Sequence, residues 1–149
     1  MAFEIERKFL VKGEFRHLST GSYDITQAYI AVEPGKTIRI RITDNKAFLT
    51  IKTPMLPYSF IRNEWEYEIP REDAVEMLKI CVPGKVIKTR YLIPAGERQF
   101  EVDVFHDRNE GLIIAEIELG SETEKFEIPA WLGEEVTGNP AYYNSNLIK

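Results

Sequence analysis

Cysteine is nearly absent from this chain: Cys81 stands alone among 149 residues. One thiol closes no intramolecular disulfide, which fits a reducing compartment. Long hydrophobic runs are missing as well, and none approaches the roughly 20 residues of a bilayer-spanning helix. The start, Met1-Ala2-Phe3-Glu4-Ile5-Glu6-Arg7-Lys8, lacks the apolar stretch of a signal peptide. A cytoplasmic protein with no membrane partner is therefore expected. Histidine is limited to His17 and His106, too few beside one cysteine to build a zinc site. No glycine-rich phosphate loop or dinucleotide fingerprint occurs. Positive charge is not in excess either: 19 Lys and Arg against 24 Asp and Glu leave a formal charge of -5. That balance argues against nucleic acid as a partner, whose binding draws mostly on net positive contacts with phosphates.

What the chain has is alternation. Its length suits one domain over 1–149, and its 44 % hydrophobic content can fill a core without disulfides. Apolar and charged residues alternate with period 2, the mark of strands, over 3–11, 25–32, 37–43, 47–53, 64–69, 86–93, 99–105 and 112–119. Asp44-Asn45 and the stretch 94–96 read as hairpin turns. A helix is expected over 71–81, where Ala74, Val75, Leu78 and Cys81 recur at helical spacing. Pro70 stands before it, Glu72 and Asp73 in its first turn, and Pro83-Gly84 after it. Short helices are expected at 13–18, 129–132 and 140–147. The stretch 53–62, with Pro54 and Pro57, reads as a loop and a candidate flap over a site.

The polar faces of these strands carry almost nothing but full charges. Glu4, Glu6 and Lys8 share a face, as do Arg39 with Arg41, Thr50 with Lys52, and Glu64 with Glu66 and Glu68. Lys88 and Arg90, Glu101 and Asp103, and Glu116 and Glu118 complete the series. Two readings stay open from the residues alone. One is an ordinary half-buried sheet with its charged face in water. The other is a closed antiparallel barrel with the charged face inward and its apolar outer face covered by helices or a second copy of the chain. The scarcity of Thr, Ser and Gln on these faces and the grouping of signs by strand raise the second to equal standing with the first.

In a wet interior the acidic pairs Glu4/Glu6, Glu101/Asp103 and Glu116/Glu118 each aim two carboxylates at one small volume. All-oxygen ligation suits Mg²⁺ or Mn²⁺, which take remaining ligands from substrate phosphates. The bases Lys8, Arg39, Arg41, Lys52, Lys88 and Arg90 then match a string of phosphates. His17, His106 and Cys81 read as surface or core residues with no part in this chemistry.

Glu4-Ile5-Glu6-Arg7-Lys8 resembles the E-x-E-x-K signature of the CYTH superfamily, the triphosphate tunnel metalloenzymes. The resemblance continues through Arg39-Ile40-Arg41, Lys52, Glu64-Trp65-Glu66, Lys88-Thr89-Arg90-Tyr91, Glu101-Val102-Asp103, Glu116-Ile117-Glu118 and the tail segments Trp131 to Thr137 and Tyr143-Asn144. It implies a mainly β (α+β) fold, a closed eight-stranded antiparallel tunnel with covering helices. It further implies metal ions on Glu4, Glu6, Glu116 and Glu118 with Asp103 nearby, and phosphates gripped by Lys8, Arg39, Arg41, Lys52, Lys88 and Arg90. Glu64, Glu66 and Glu101 would support the charged wall. Two ions are implied in turnover, one orienting the phosphates and one activating water. Tyr29 resembles a tunnel tyrosine placed with Lys8 near that water; an ordinary Tyr is a poor base near neutral pH, so Lys8 would have to favour its phenolate.

The compact pattern is most similar to short bacterial inorganic triphosphatases, which implies hydrolysis of tripolyphosphate to pyrophosphate and phosphate. A class IV adenylyl cyclase would need the same grip plus an adenine pocket. A thiamine triphosphatase would need an aromatic platform, for which Tyr58, Phe60 and Trp65 are the candidates. A polyphosphate-binding module without turnover would not need the acidic pairs. A homodimer through the outward apolar faces is a further expectation.

Overall fold

In the computed structural model, which describes residues 2–53 and 61–149, alternation becomes strand over most of the chain. The strands are β1 (Ala2–Val11), β2 (Gly21–Glu33), β3 (Lys36–Ile42), β4 (Ala47–Lys52), β5 (Ile61–Ile69), β6 (Val86–Ala95), β7 (Arg98–Phe105), β8 (Ile113–Glu118) and β9 (Leu132–Glu135). One helix, α1 (Arg71–Met77), runs on into a 3-10 turn at Leu78–Ile80. Every ladder is antiparallel, in the order β5-β4-β3-β2-β6-β7-β8-β1, and β5 returns to β1. Strand β1 makes that closure with its two halves. Phe3 and Ile5 pair with Asn63 and Ile61 of β5, while Glu6 to Leu10 pair with β8, Glu6 facing Glu118. Eight strands thus close into the expected barrel, and closure removes the unpaired edges of an open sheet.

The turns follow local chemistry. The β6–β7 hairpin places Gly96 at φ +63°, a backbone region costly for residues with a Cβ. Among the described residues no helix is long and apolar enough to cross a membrane.

The outer apolar face is covered in two places. Over β3 and β4, α1 brings Ala74, with Met77, Leu78 and Cys81, onto Ile40, Ile42 and Ala47. Over β7, β8 and β1, Phe15, Leu119, Trp131 and Leu132 pack on Phe9, Phe100, Val102 and Ile117, each large side chain so buried worth roughly 2–3 kcal/mol. A third apolar group lies inside the barrel. Val86, Phe105 and Ile114 fill the end where β6 and β8 begin, and Leu147 and Ile148 of the C-terminal tail pack against them. The interior is therefore charged above an apolar floor, a division that period-2 alternation alone does not mark.

The expected helix at 129–132 is a correction. Leu132 instead opens β9, which pairs with β1 through Phe9↔Glu135 and Val11↔Leu132. Gly133 makes this possible, because a Cβ there would lie 2.9 Å from the Leu10 carbonyl oxygen. The helices expected at 13–18 and 140–147 are only 3-10 turns at Arg16–Leu18, Pro140–Tyr142 and Asn144–Asn146. Tyr58, Phe60 and all but the flanks of the expected flap lie outside the described residues.

Candidate active site

Inside the barrel is a cavity of about 220 Å³. Its signs are divided between two arcs of the wall. Neighbouring strands β7, β8, β1 and β5 contribute Glu101, Glu116, Glu118, Glu4, Glu6, Glu64 and Glu66. The remaining arc, β4, β3, β2 and β6, contributes Lys52, Arg39, Arg41, Lys88 and Arg90, with Tyr29 among them. Lys8 and Arg62 are the two cations on the acidic arc, and Thr37, Thr50 and the tail residues Tyr143, Asn144 and Ser145 are the uncharged lining beside Tyr29.

On the acidic arc, Glu6, Glu101 and Glu116 bring one carboxylate oxygen each within 4.8 Å of the others. These are hard oxygen donors of the kind that hold Mg²⁺, Mn²⁺ or Ca²⁺. Burial, with Glu116 and Glu4 close by, pushes the Glu6 carboxyl well above the usual carboxylate range. Burial acts the same way on Glu116, but Lys8, Arg90 and Lys88 outweigh it and hold that carboxyl well below the range. Glu118 is raised by burial, Glu4 and Glu101. Negative charge is in local surplus here, and a bound cation would relieve it. Glu4 is differently placed: Lys52 Nζ donates to both its oxygens at 3.0 and 2.8 Å and lies 3.4 Å from Glu64.

The basic arc is held from behind. Asp103 is completely buried. It accepts Arg90 Nε at 2.8 Å and Arg90 Nη2 at 2.9 Å, and Lys88 Nζ at 2.7 Å. Burial raises its carboxyl, yet Arg90 and Lys88 together leave it below the ordinary value. Arg90 also donates to Glu101 at 3.0 Å. Arg39 donates to Thr50 Oγ1 at 3.2 Å, and Thr50 in turn to Glu66 at 3.0 Å. Burial, with Arg39 and Arg90 nearby, lowers the Arg41 pKa to about 10, still charged at neutral pH.

The structure therefore brings fourteen of the fifteen residues singled out in the sequence to one cavity surface. Asp103 is the exception: both its oxygens are taken by Arg90 and Lys88 beneath the wall, and Glu101 stands in the cavity where Asp103 was expected. Lys8 and Tyr29 both line the cavity without bonding each other. Lys8 Nζ donates to the Tyr142 carbonyl at 3.2 Å and lies 3.6 Å from Glu116, while Tyr29 Oη is 3.4 Å from Gln27 Nε2. His17 is exposed, and His106 meets Thr89 outside the barrel.

Sequence reasoning passed over three residues. Arg62 lies in the cavity with its guanidinium 5.1 Å from the Tyr143 ring, and its buried Nε has no hydrogen-bond partner among the described residues. The Arg39 Nε is in the same state. Buried donors without acceptors are costly, and an anion in the cavity is the partner such donors fit. Arg62 was legible as the inward residue two before Glu64. Gln27 and Asn144, which bond to each other, carry no charge; Asn144 stands in the resemblance only within Tyr143-Asn144, with no role, and Gln27 is given none.

A closed barrel with carboxylates on one arc and guanidinium and ammonium groups on the other defines a class: a tunnel for a multiply charged anion accompanied by metal. Residues 2–146 match the CYTH domain, and the chain belongs to that family. It is similar to an inorganic triphosphatase of Acetivibrio thermocellus, with 43 % identity over 151 aligned positions covering all of this chain and 95 % of that protein. An inorganic triphosphatase of Nitrosomonas europaea is 35 % identical over 150 positions, covering 97 % and 95 %. A crystal structure of an inorganic triphosphatase superposes with a TM-score of 0.70 at 30 % identity, over 99 % of this chain and 95 % of that one.

Proposed function

We propose that the protein is a metal-dependent triphosphatase that hydrolyses inorganic tripolyphosphate to pyrophosphate and phosphate. The observation that carries this reading is the division of one cavity into an acidic and a basic arc. A linear triphosphate with divalent cations presents both signs, and such a pair fills both arcs at once. The lining is mostly charged, with Tyr29 and Tyr143 its only aromatic rings among the described residues, which supports an inorganic chain over a nucleoside or thiamine ester.

In this reading Glu6, Glu101 and Glu116 would hold Mg²⁺ or Mn²⁺, with Glu4 and Glu118 at hand for a second ion. Bound there, a divalent ion supplies positive charge to phosphoryl oxygens and makes water a better nucleophile near neutral pH. Arg39, Arg41, Lys52, Lys88 and Arg90, joined by Lys8 and Arg62, grip the phosphates and meet the charge that develops on the departing pyrophosphate. Water adds to a terminal phosphorus as the anhydride P–O bond on its far side breaks. Lys8 and Tyr29 are assigned to the side of that water, and Asp103 acts through Arg90 and Lys88. The same reading keeps 1–149 as one tunnel unit in the cytoplasm, with a homodimer formed where Phe3 and Tyr67 are exposed.

The experiment is phosphate release from the purified protein with Mg²⁺, Mn²⁺ or neither, on tripolyphosphate, ATP and thiamine triphosphate, with cyclic AMP assayed in the ATP reaction. Metal-dependent release from tripolyphosphate is the expected result. Cyclic AMP would make the protein a cyclase, and no turnover of any substrate would leave a binding module.

A further inference from the structure

Arg41 differs from the other bases of the basic arc in its anchor. Among the described residues it makes no ion pair, and its Nε donates to Gln27 Oε1 at 3.1 Å. Gln27 is fully buried. Its Nε2 donates to Asn144 Oδ1 at 3.1 Å, and the same oxygen accepts Lys88 Nζ at 2.9 Å. Guanidinium and ammonium groups can only donate, so both amides have one permissible orientation: Gln27 Oε1 toward Arg41 and Asn144 Oδ1 toward Lys88. The chain of bonds runs from a cation on β3, through β2, to the tail, and back to a cation on β6.

The tail that carries Asn144 is itself seated on the barrel. Asn109 Nδ2 donates to the Leu147 carbonyl at 2.8 Å, Arg108 donates to the Ile148 carbonyl, and Ile148 is buried in the apolar floor. Gly84, at φ +101°, lies where a Cβ would strike that same Ile148 carbonyl. Lys8 donates to the Tyr142 carbonyl one turn earlier. Three cavity bases thus take a bond from the tail directly or through Gln27.

We propose that Gln27 and Asn144 are positioning residues: two neutral amides through which the seated C-terminal tail orients Arg41 and Lys88 toward the phosphate chain. The inference rests on the phosphate-gripping reading of those bases. A carboxylate in place of Gln27 would hold Arg41 more tightly and cancel its charge. An amide fixes the guanidinium plane and leaves the whole charge for the anion, which matters most where water is excluded. Asp103 already supplies the counter-charge for Lys88, and Asn144 supplies direction alone.

The test compares the unaltered full chain with Asn144→Ala, Gln27→Met and the double variant. It measures kcat and KM for tripolyphosphate with Mg²⁺, calorimetric binding of tripolyphosphate, and the melting temperature. Each single change is expected to raise KM about tenfold, the scale of one lost buried hydrogen bond, with kcat within about threefold. The double variant is expected to be no worse than the stronger single, because both changes cut one chain. An unchanged KM in Asn144→Ala, multiplying effects in the double variant, or a lower melting temperature without a KM change would each overturn the proposal. Asn144 lies outside the strands, so if Gln27→Met does not fold, Asn144→Ala and Asn144→Ser decide the matter. If the unaltered chain neither binds nor hydrolyses tripolyphosphate, the phosphate reading fails and takes this one with it; binding by the unaltered chain with an indifferent Asn144→Ala sinks this one alone.

Discussion

The acidic and basic arcs of the barrel line one cavity and are built on different plans. On the basic arc each base has an anchor, Arg90 and Lys88 on Asp103, Arg39 on Thr50, Arg41 on Gln27, although burial and like charges lower the pKa of Arg41 and Lys88. On the acidic arc, Glu6, Glu64 and Glu118 are all pushed upward, by burial first and then by other carboxylates. The basic arc is held in place by hydrogen bonds before any ligand arrives, while the crowding of Glu6, Glu64 and Glu118 on the acidic arc is what a cation would relieve. A wall of anchored bases binds an anion at little reorganisation cost, while crowded carboxylates give a divalent ion its affinity. Lys52 is the link between them, a base whose ammonium sits on Glu4 and Glu64.

The largest effect should come from removing the anchor of the basic arc. Asp103→Ala leaves Lys88 and Arg90 buried, both among the least exposed residues in the protein, without their counter-charge. Breaking a buried pair from one side costs about 3–5 kcal/mol, a large part of a small domain's stability. Chemical denaturation should show most of that loss. If Asp103→Ala folds as stably as the unaltered protein, the anchoring account is wrong and a ligand role for Asp103 returns.

Next in size is the opposite treatment of the opposite arc. Glu6→Gln removes a carboxyl crowded by Glu116 and Glu4, so the metal-free protein should be no less stable, while metal-dependent turnover falls by at least about 100-fold. A metal titration followed by melting temperature checks both halves. Turnover that survives Glu6→Gln would remove Glu6 from the metal set. Smaller still is Arg62→Ala, which takes away one cavity base whose Nε has no partner among the described residues. It should raise KM for tripolyphosphate about tenfold with little change in stability, as for loss of one charge-assisted bond. An unchanged KM would leave Arg62 as packing for Tyr143.

How much of this was legible beforehand divides along physical lines. The faces were legible, because side-chain direction in a strand is fixed by parity: Glu4, Glu6 and Lys8 point one way in any sheet. Depth was not. Glu101 and Asp103 share a face, yet Glu101 reaches the cavity and Asp103 lies under it. That difference depends on strand tilt and on what fills the floor, Phe105 and Ile114 meeting Ile148 from the far end of the sequence. Closure was equally hidden, since the pairing of Phe3 with Asn63 joins residues with no local signal for each other. Strand β9 depended on Gly133 passing close to Leu10, a contact that the preceding Pro129 and Trp131 disguised as a helix start. Neutral Gln27 and Asn144 could not be found by looking for charge.

The smallest effect belongs outside the barrel, where an ion pair meets water and does no chemistry. Arg7 Nε and Nη2 donate to Glu135 Oε2 and Oε1 at 2.8 and 2.6 Å, tying β9 to β1, and Thr137 donates to the same carboxylate at 2.7 Å. The hydrogen bonds from Arg7, against some burial, hold the Glu135 carboxyl below its ordinary value. A carboxyl whose pKa is lower folded than unfolded binds its proton more readily in the unfolded chain. Its contribution is complete above the unfolded value, near 4.3, and disappears as pH falls through the folded one. Both partners are about a third exposed, so the contribution is at most about 1 kcal/mol. Glu135→Gln should therefore lower stability slightly at pH 7 and by progressively less as pH falls below the unfolded value, with turnover at pH 7 unchanged. A turnover defect in that variant would show that the outer clip reaches the cavity through Lys8, its neighbour on β1, and that the separation between wall and interior is less complete than the hydrogen bonds depict.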